Sequence, residues 1–116
     1  MKKLFIAAFI FVSTFTTNTF ADIKMGIILG FTGPIESLTP AMAASAELAF
    51  KEASDSGSLL GGKKIEVVRA DSTCVDSAAA TAAAEGVISQ GVAAIMGADC
   101  SGVTGAIHLM LLYLMV

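Results

Sequence analysis

Three short apolar runs, each closed by a loop and followed by a helical stretch, constrain this chain more than any other feature. Ile23 to Leu29 is almost continuously apolar and ends at Gly30, the pattern of a strand buried on both faces of a parallel sheet. Lys63 to Ala70 predicts a second strand, with Ile65 and Val67 alternating with Glu66 before Val68 breaks the pattern; Val92 to Met96 predicts a third. Thr39-Pro40 opens a helix after the first strand, Thr as the cap and Pro at the first helical position, where its missing N–H goes unnoticed. Met42, Ala46, Ala49, Phe50 and Ala53 give that helix one apolar stripe, and Ser56-Gly57-Ser58 stops it before Gly61-Gly62 turns the chain. Ser77 to Gln90 is Ala-rich and helical by propensity, with Asp71, Asp76 and the capping-competent Ser77 near its start and Gly91 at its end. A third helix starts at Ser101. The order β-α-β-α-β-α with short loops calls for a parallel sheet with right-handed crossovers, an α/β fold. Three strands make half or less of an ordinary doubly wound domain.

Residues 1–21 read as a cleavable export signal. Lys2 and Lys3 are basic, Leu4 to Val12 is an apolar run, and small and polar residues lead to Ala21 ahead of Asp22-Ile23-Lys24. The apolar run is far short of the ~20 residues that span a bilayer. The remainder carries five basic residues against ten acids, a net charge of −5. Nucleic acid is therefore excluded as a partner, since binding it needs clustered Lys and Arg to displace counterions. From His108 to Val116 the chain is almost wholly apolar. That stretch is expected to be an aberrant tail, as a truncation or frameshift inside a larger domain would produce.

The loops after the three strands, Gly30–Leu38, Asp71–Asp76 and Gly97–Ser101, fall at the carboxyl edge of the sheet, where open α/β sheets bind ligands. Gly30-Phe-Thr-Gly33 lacks the full phosphate-binding pattern, and Pro34 removes a donor N–H. Catalysis is not expected: the single histidine, His108, lies in the apolar tail, so Ser-His or Cys-His chemistry lacks its base. No cysteine or histidine spacing suits a metal, and no cofactor is expected. Asp71, Asp76 and Asp99 fall at one edge but read best as solvated loop acids and helix-start charges.

Cys74 and Cys100 each lie just past a strand. The redox-active C-x-x-C spacing is absent, and an exported protein meets an oxidising compartment, so a structural disulfide is favoured over a reduced pair. Closing a loop of this length stabilises by about 3 kcal/mol on chain-entropy grounds. Ser101, directly after Cys100, reads as a cap for the third helix, with its hydroxyl able to face a ligand carboxylate as well.

The order of Met25-Gly-Ile-Ile-Leu-Gly-Phe-Thr-Gly-Pro34, Ala46-Glu-Leu-Ala-Phe50, Leu60-Gly-Gly-Lys-Lys-Ile-Glu-Val67, Asp71-Ser-Thr-Cys74 and Gly97-Ala-Asp-Cys100-Ser101 resembles the N-terminal part of the periplasmic leucine/isoleucine/valine-type substrate-binding proteins of ABC transporters. The likeness covers about residues 22–107, which it makes the first part of lobe one of a type I periplasmic binding protein, a partial doubly wound parallel sheet. It implies two lobes closing on an amino acid or similar small metabolite, presentation to a membrane permease, a monomer, and periplasmic localisation. It also implies a Cys74–Cys100 disulfide, ligand contact by Ser101 at the carboxylate end, and a matching Ser/Thr position at Thr104. Where branched-chain binders carry a tyrosine beside the ligand, this chain has Leu38. The family's chains are several times longer, so this one is expected to be a fragment with little binding alone. The alternatives are a ligand-sensing module of a receptor or regulator, and a gene remnant.

Overall fold

The structure, a computed structural model, describes residues 22–115. The export signal expected over residues 1–21 lies outside the described residues. Strand β1 spans Ile23–Leu29, helix α1 Thr39–Asp55, strand β2 Ile65–Asp71, helix α2 Ser77–Ser89, strand β3 Ala94–Gly97 and helix α3 Ser101–Leu114, with a short 3-10 turn at Leu59–Gly61. The sheet is wholly parallel with β1 in the centre, in the order β2-β1-β3. Register runs from Ile23 opposite Ile65 to Leu29 opposite Asp71 on one side, and from Met25 opposite Ala94 to Ile28 opposite Gly97 on the other. The expected α/β architecture is present.

A central strand must be apolar on both sides, and β1 is. Ile27 and Leu29 point to the α1 face and pack with Ala43, Ala46, Phe50, Val67 and Met96. Ile28 points to the other face, against Ala80, Ala84 and Val87 of α2 and Val103 and Ile107 of α3. The break in alternation at Val68 has the same cause: Val67 serves the α1 face, Val68 and Ala70 the α2–α3 face. With α1 on one face and α2 on the other, the chain steps from β1 to β2, then back across β1 to β3. Opposite steps over opposite faces are two crossovers of one hand.

Several local expectations are corrected. Thr39 does not cap α1; Leu38 precedes the helix without a side-chain cap, and Thr39 is already inside it. Its hydroxyl instead donates to the Gly30 carbonyl at 3.0 Å, and the residue is fully buried. That anchor rotates the helix. Thr39, Ala43, Ala46, Phe50 and Ser54 face the sheet, while Met42 and Ala49 of the expected stripe are exposed. Asp76, rather than Ser77, caps α2, accepting from the N–H groups of Ala78 at 2.9 Å and Ala79 at 3.0 Å. Strand β2 starts later than Lys63, because Lys64 belongs to the turn, its ammonium bonded to the Ser54 carbonyl at 3.0 Å. Strand β3 starts at Ala94, with Val92 leading in against the core. Helix α3 runs through His108 without a break, so the apolar stretch continues that helix as far as Leu114. Its inner side, through Met110 and Leu111, packs on the core; Leu109, Leu112, Tyr113 and Leu114 are exposed. Among the described residues no helix is long and apolar enough to cross a membrane.

Candidate ligand-binding edge

Because β1 is central, the connections leaving β1 and β3 part at their carboxyl ends: α1 goes to one face and α3 to the other. That divergence is the topological switch point of the sheet, the place where open α/β folds bind ligands. The first loop and the start of α3 flank it.

The arrangement of the two cysteine-bearing loops is unexpected from strand order. Strands β2 and β3 are not neighbours; β1 separates them, so their axes lie roughly 10 Å apart. Yet Cys74, after β2, and Cys100, after β3, form a disulfide with Cα atoms 5.3 Å apart. The two outer loops therefore lean inward over the end of β1. Gly30 lies directly beneath: a Cβ there would stand 3.1 Å from the Cys74 Cβ.

Two aspartates hold the loops together. Asp99 accepts from Gly30 N at 2.9 Å through one oxygen and from the Ser72 hydroxyl at 3.5 Å through the other. Asp71 accepts from Thr32 N at 3.3 Å, the Thr32 hydroxyl at 2.5 Å and Thr73 N at 2.8 Å. Partial burial opposes ionisation of Asp71, but the hydroxyl and N–H donors outweigh it and hold its carboxyl below the usual carboxylate range. Gly33, at φ +93°, is packed so that a Cβ would come within 2.5 Å of the Thr73 carbonyl oxygen, so only glycine fits where the first loop meets the second. On the α1 face, Arg69 makes a two-pronged pair with Glu47, at 2.5 and 2.7 Å, and its guanidinium lies 5.6 Å from the centre of the Phe31 ring. Hydrogen bonding to Arg69 draws the Glu47 carboxyl down despite some desolvation. These contacts fix the root of the first loop to β2 and α1.

The sequence-predicted site residues fall on both sides of the switch point. Ser101 is the first residue of α3 and is exposed; contrary to expectation it does not cap the helix, whose N-cap is Cys100 with no side-chain cap. Thr104, one turn on, is also exposed. Its hydroxyl proton is shared between the carbonyls of Cys100 at 2.8 Å and Ala98 at 3.1 Å, leaving oxygen lone pairs to offer a ligand. Leu38 is exposed at the entry to α1, with Met42 one turn further on the same side. Val75, beside Cys74, is 73% exposed, and no sequence pattern marked it. The three edge acids do not form a free acidic group: Asp71 and Asp99 tie loops and Asp76 caps α2. Among the described residues no cluster of His, Cys, Asp or Glu is placed to hold a metal ion, and the edge is open, with no enclosed cavity.

An open switch point, flanked by a hydroxyl at a helix start on one side and apolar side chains on the other, has the chemistry of one wall of a small-molecule cleft. The chain belongs to the periplasmic binding protein family, whose description as "Periplasmic binding protein" it matches over residues 22–111. No curated protein matches the chain. Membership implies a small-molecule ligand and a solute-binding role, in a family that is generally non-enzymatic and typically exported to the periplasm.

Proposed function

We propose that this chain is the ligand-binding first part of lobe one of an exported solute-binding protein serving an ABC transporter, and that its solute is an amino acid or a similar small metabolite. Residues 1–21 direct export to the periplasm and are removed. Residues 22–107 form one wall of the cleft, and a second lobe supplies the other, with hinge closure presenting the solute to a membrane permease. The observation that carries this reading is the uncapped, exposed Ser101 at the start of α3, beside the switch point. Its hydroxyl and the unpaired N–H groups of the first helical turn suit the carboxylate of an amino acid. Thr104 adds acceptor capacity one turn on, and Leu38 lines the opposite side with an aliphatic surface instead of a phenol. The scattered positive charge and the net charge of −5 after the signal further support a small solute over nucleic acid.

Calorimetric titration of the full chain with a panel of L-amino acids, sugars and nucleotides tests the proposal. A single wall of a cleft buries only part of a small solute, so binding is expected to be weak, at about the millimolar level. Amino acids alone should give saturable heats. Saturable binding of sugars or nucleotides with none of amino acids would contradict the solute class. A nanomolar affinity for an amino acid would contradict the need for a second wall.

A further inference from the structure

We infer that Asp99 is the positioning residue of the ligand-binding edge: it holds the second and third loops over the end of β1, so that Cys74 and Cys100 meet and Ser101 is presented at the switch point. The part concerning Ser101 rests on the function proposed above; the loop positioning does not.

Loops that leave strands on either side of a third have no reason to touch, and here they converge over Gly30. The disulfide fixes that convergence once formed, and how readily it forms depends on how closely the folded chain holds the two thiols beforehand. Asp71 links the first loop to the second and does not reach the third. Asp99 does. It stands next to Cys100, and its two oxygens reach the end of β1, through Gly30 N, and the second loop, through the Ser72 hydroxyl. Ser72 is fully buried two residues before Cys74, and its own N–H donates to the Leu29 carbonyl at 2.9 Å. One carboxylate thus joins the ends of all three strands. Beside it, Gly97 at φ +134° passes so near β1 that a Cβ would stand 1.9 Å from the Ile28 carbonyl oxygen, which brings the Asp99 backbone within reach.

The consequence is measurable as the effective concentration of the two thiols. Reduced chain and glutathione disulfide exchange to give the Cys74–Cys100 disulfide and two molecules of reduced glutathione; two electrons and two protons pass from the cysteines to glutathione. The full 116-residue chain is equilibrated in glutathione redox buffers, quenched with acid and scored by thiol alkylation, with far-UV circular dichroism confirming that both redox forms are folded. Asp99→Ala is expected to lower the equilibrium constant about tenfold, a rise in potential of about 30 mV. Asp99→Asn, which keeps the shape but only one acceptor oxygen, should lower it about two- to fivefold, in line with the weakening from a charged to a neutral acceptor. Ser54→Ala weakens the fold at the far edge of the sheet, where its hydroxyl accepts from Ile65 N, and should leave the constant unchanged. A wild-type constant in folded Asp99→Ala overturns the inference. If that variant does not fold, a wild-type constant in Asp99→Asn overturns it. An equal fall in Ser54→Ala also overturns it, by showing general destabilisation. None of these outcomes depends on any solute being bound, so the inference and the proposed function fail separately.

Discussion

At the scale of single residues, this edge is held by short side chains bonded to backbone groups far along the chain. Thr39 reaches the Gly30 carbonyl, Asp99 the Gly30 N–H, and Asp71 the N–H groups of Thr32 and Thr73. Asp71 also makes a pH prediction. Its carboxyl is held below its usual value when folded, so its contribution to stability is present above the unfolded pKa, near 3.9, and is lost as pH falls through the lower folded value. Asp71→Asn should therefore remove part of the acid sensitivity seen as pH falls below the unfolded value. At neutral pH it should cost on the order of 1 kcal/mol, reduced by solvent screening of the partly exposed carboxylate. Thermal melts of wild type and variant across that range check both; identical melting curves at every pH would contradict the assignment. Residue-scale contacts were the least legible part of the sequence. Gly30 and Asp99 are 69 positions apart, and no periodicity or motif links an N–H to a carboxylate at that distance. Ser101 was legible as a candidate site residue through its place after a strand, but its lack of a capping role was not, since capping competence is a property of the residue and its use depends on the surrounding backbone.

At the scale of elements, β1 was legible to the residue because a strand buried on both faces leaves a run that is apolar almost throughout, broken only by Lys24, with a glycine at its end. Helix α1 was legible as a helix, but its buried stripe was misplaced by about one position. Alanine appears on every side of it, so composition alone marks no unique face, and the orientation comes from Thr39 bonding to Gly30. The corrected face gives a prediction. Met42→Lys should change stability by less than about 0.5 kcal/mol, as surface substitutions do. Ala43→Leu should cost about 1–3 kcal/mol, because Ala43 is fully buried against Ile27 and Leu29 and added volume must strain the packing. Urea unfolding of the two variants decides; the reverse ranking would restore the stripe read from the sequence. The start of α2 carries a related lesson. Asp76 and Ser77 can both cap a helix, and the extended backbone at Asp76 selects it.

At the scale of the whole molecule, the six-element order was legible because each strand, loop and helix carries its own local signal, and parallel strands with same-handed crossovers leave few arrangements. The placement of β1 between β2 and β3 sets the geometry of the candidate site. It creates the switch point, separates the two cysteine-bearing strands, and makes their loops lean over Gly30. The order of strands has no local signature, so the chain could be read as a three-stranded parallel sheet before the route of its disulfide across β1 could be seen. The apolar face at the end of α3 was visible as composition, and the structure gives it a geometry: one side packed on α2 and the sheet, the other exposed.

On the proposed function, a small carboxylate-bearing solute meets this protein at the switch point between β1 and β3. Residue-by-residue mapping of amide NMR shifts in the ¹⁵N-labelled full chain, during titration with L-amino acids, tests it most directly. Saturable shifts are expected, confined to Gly30, Thr32, Ser101, Gly102 and Thr104 and their neighbours and diminished in Ser101→Ala. Shifts confined to the opposite end of the sheet, around Lys63–Ile65 and Val92–Ala94, or no shifts at any amino-acid concentration, would contradict it.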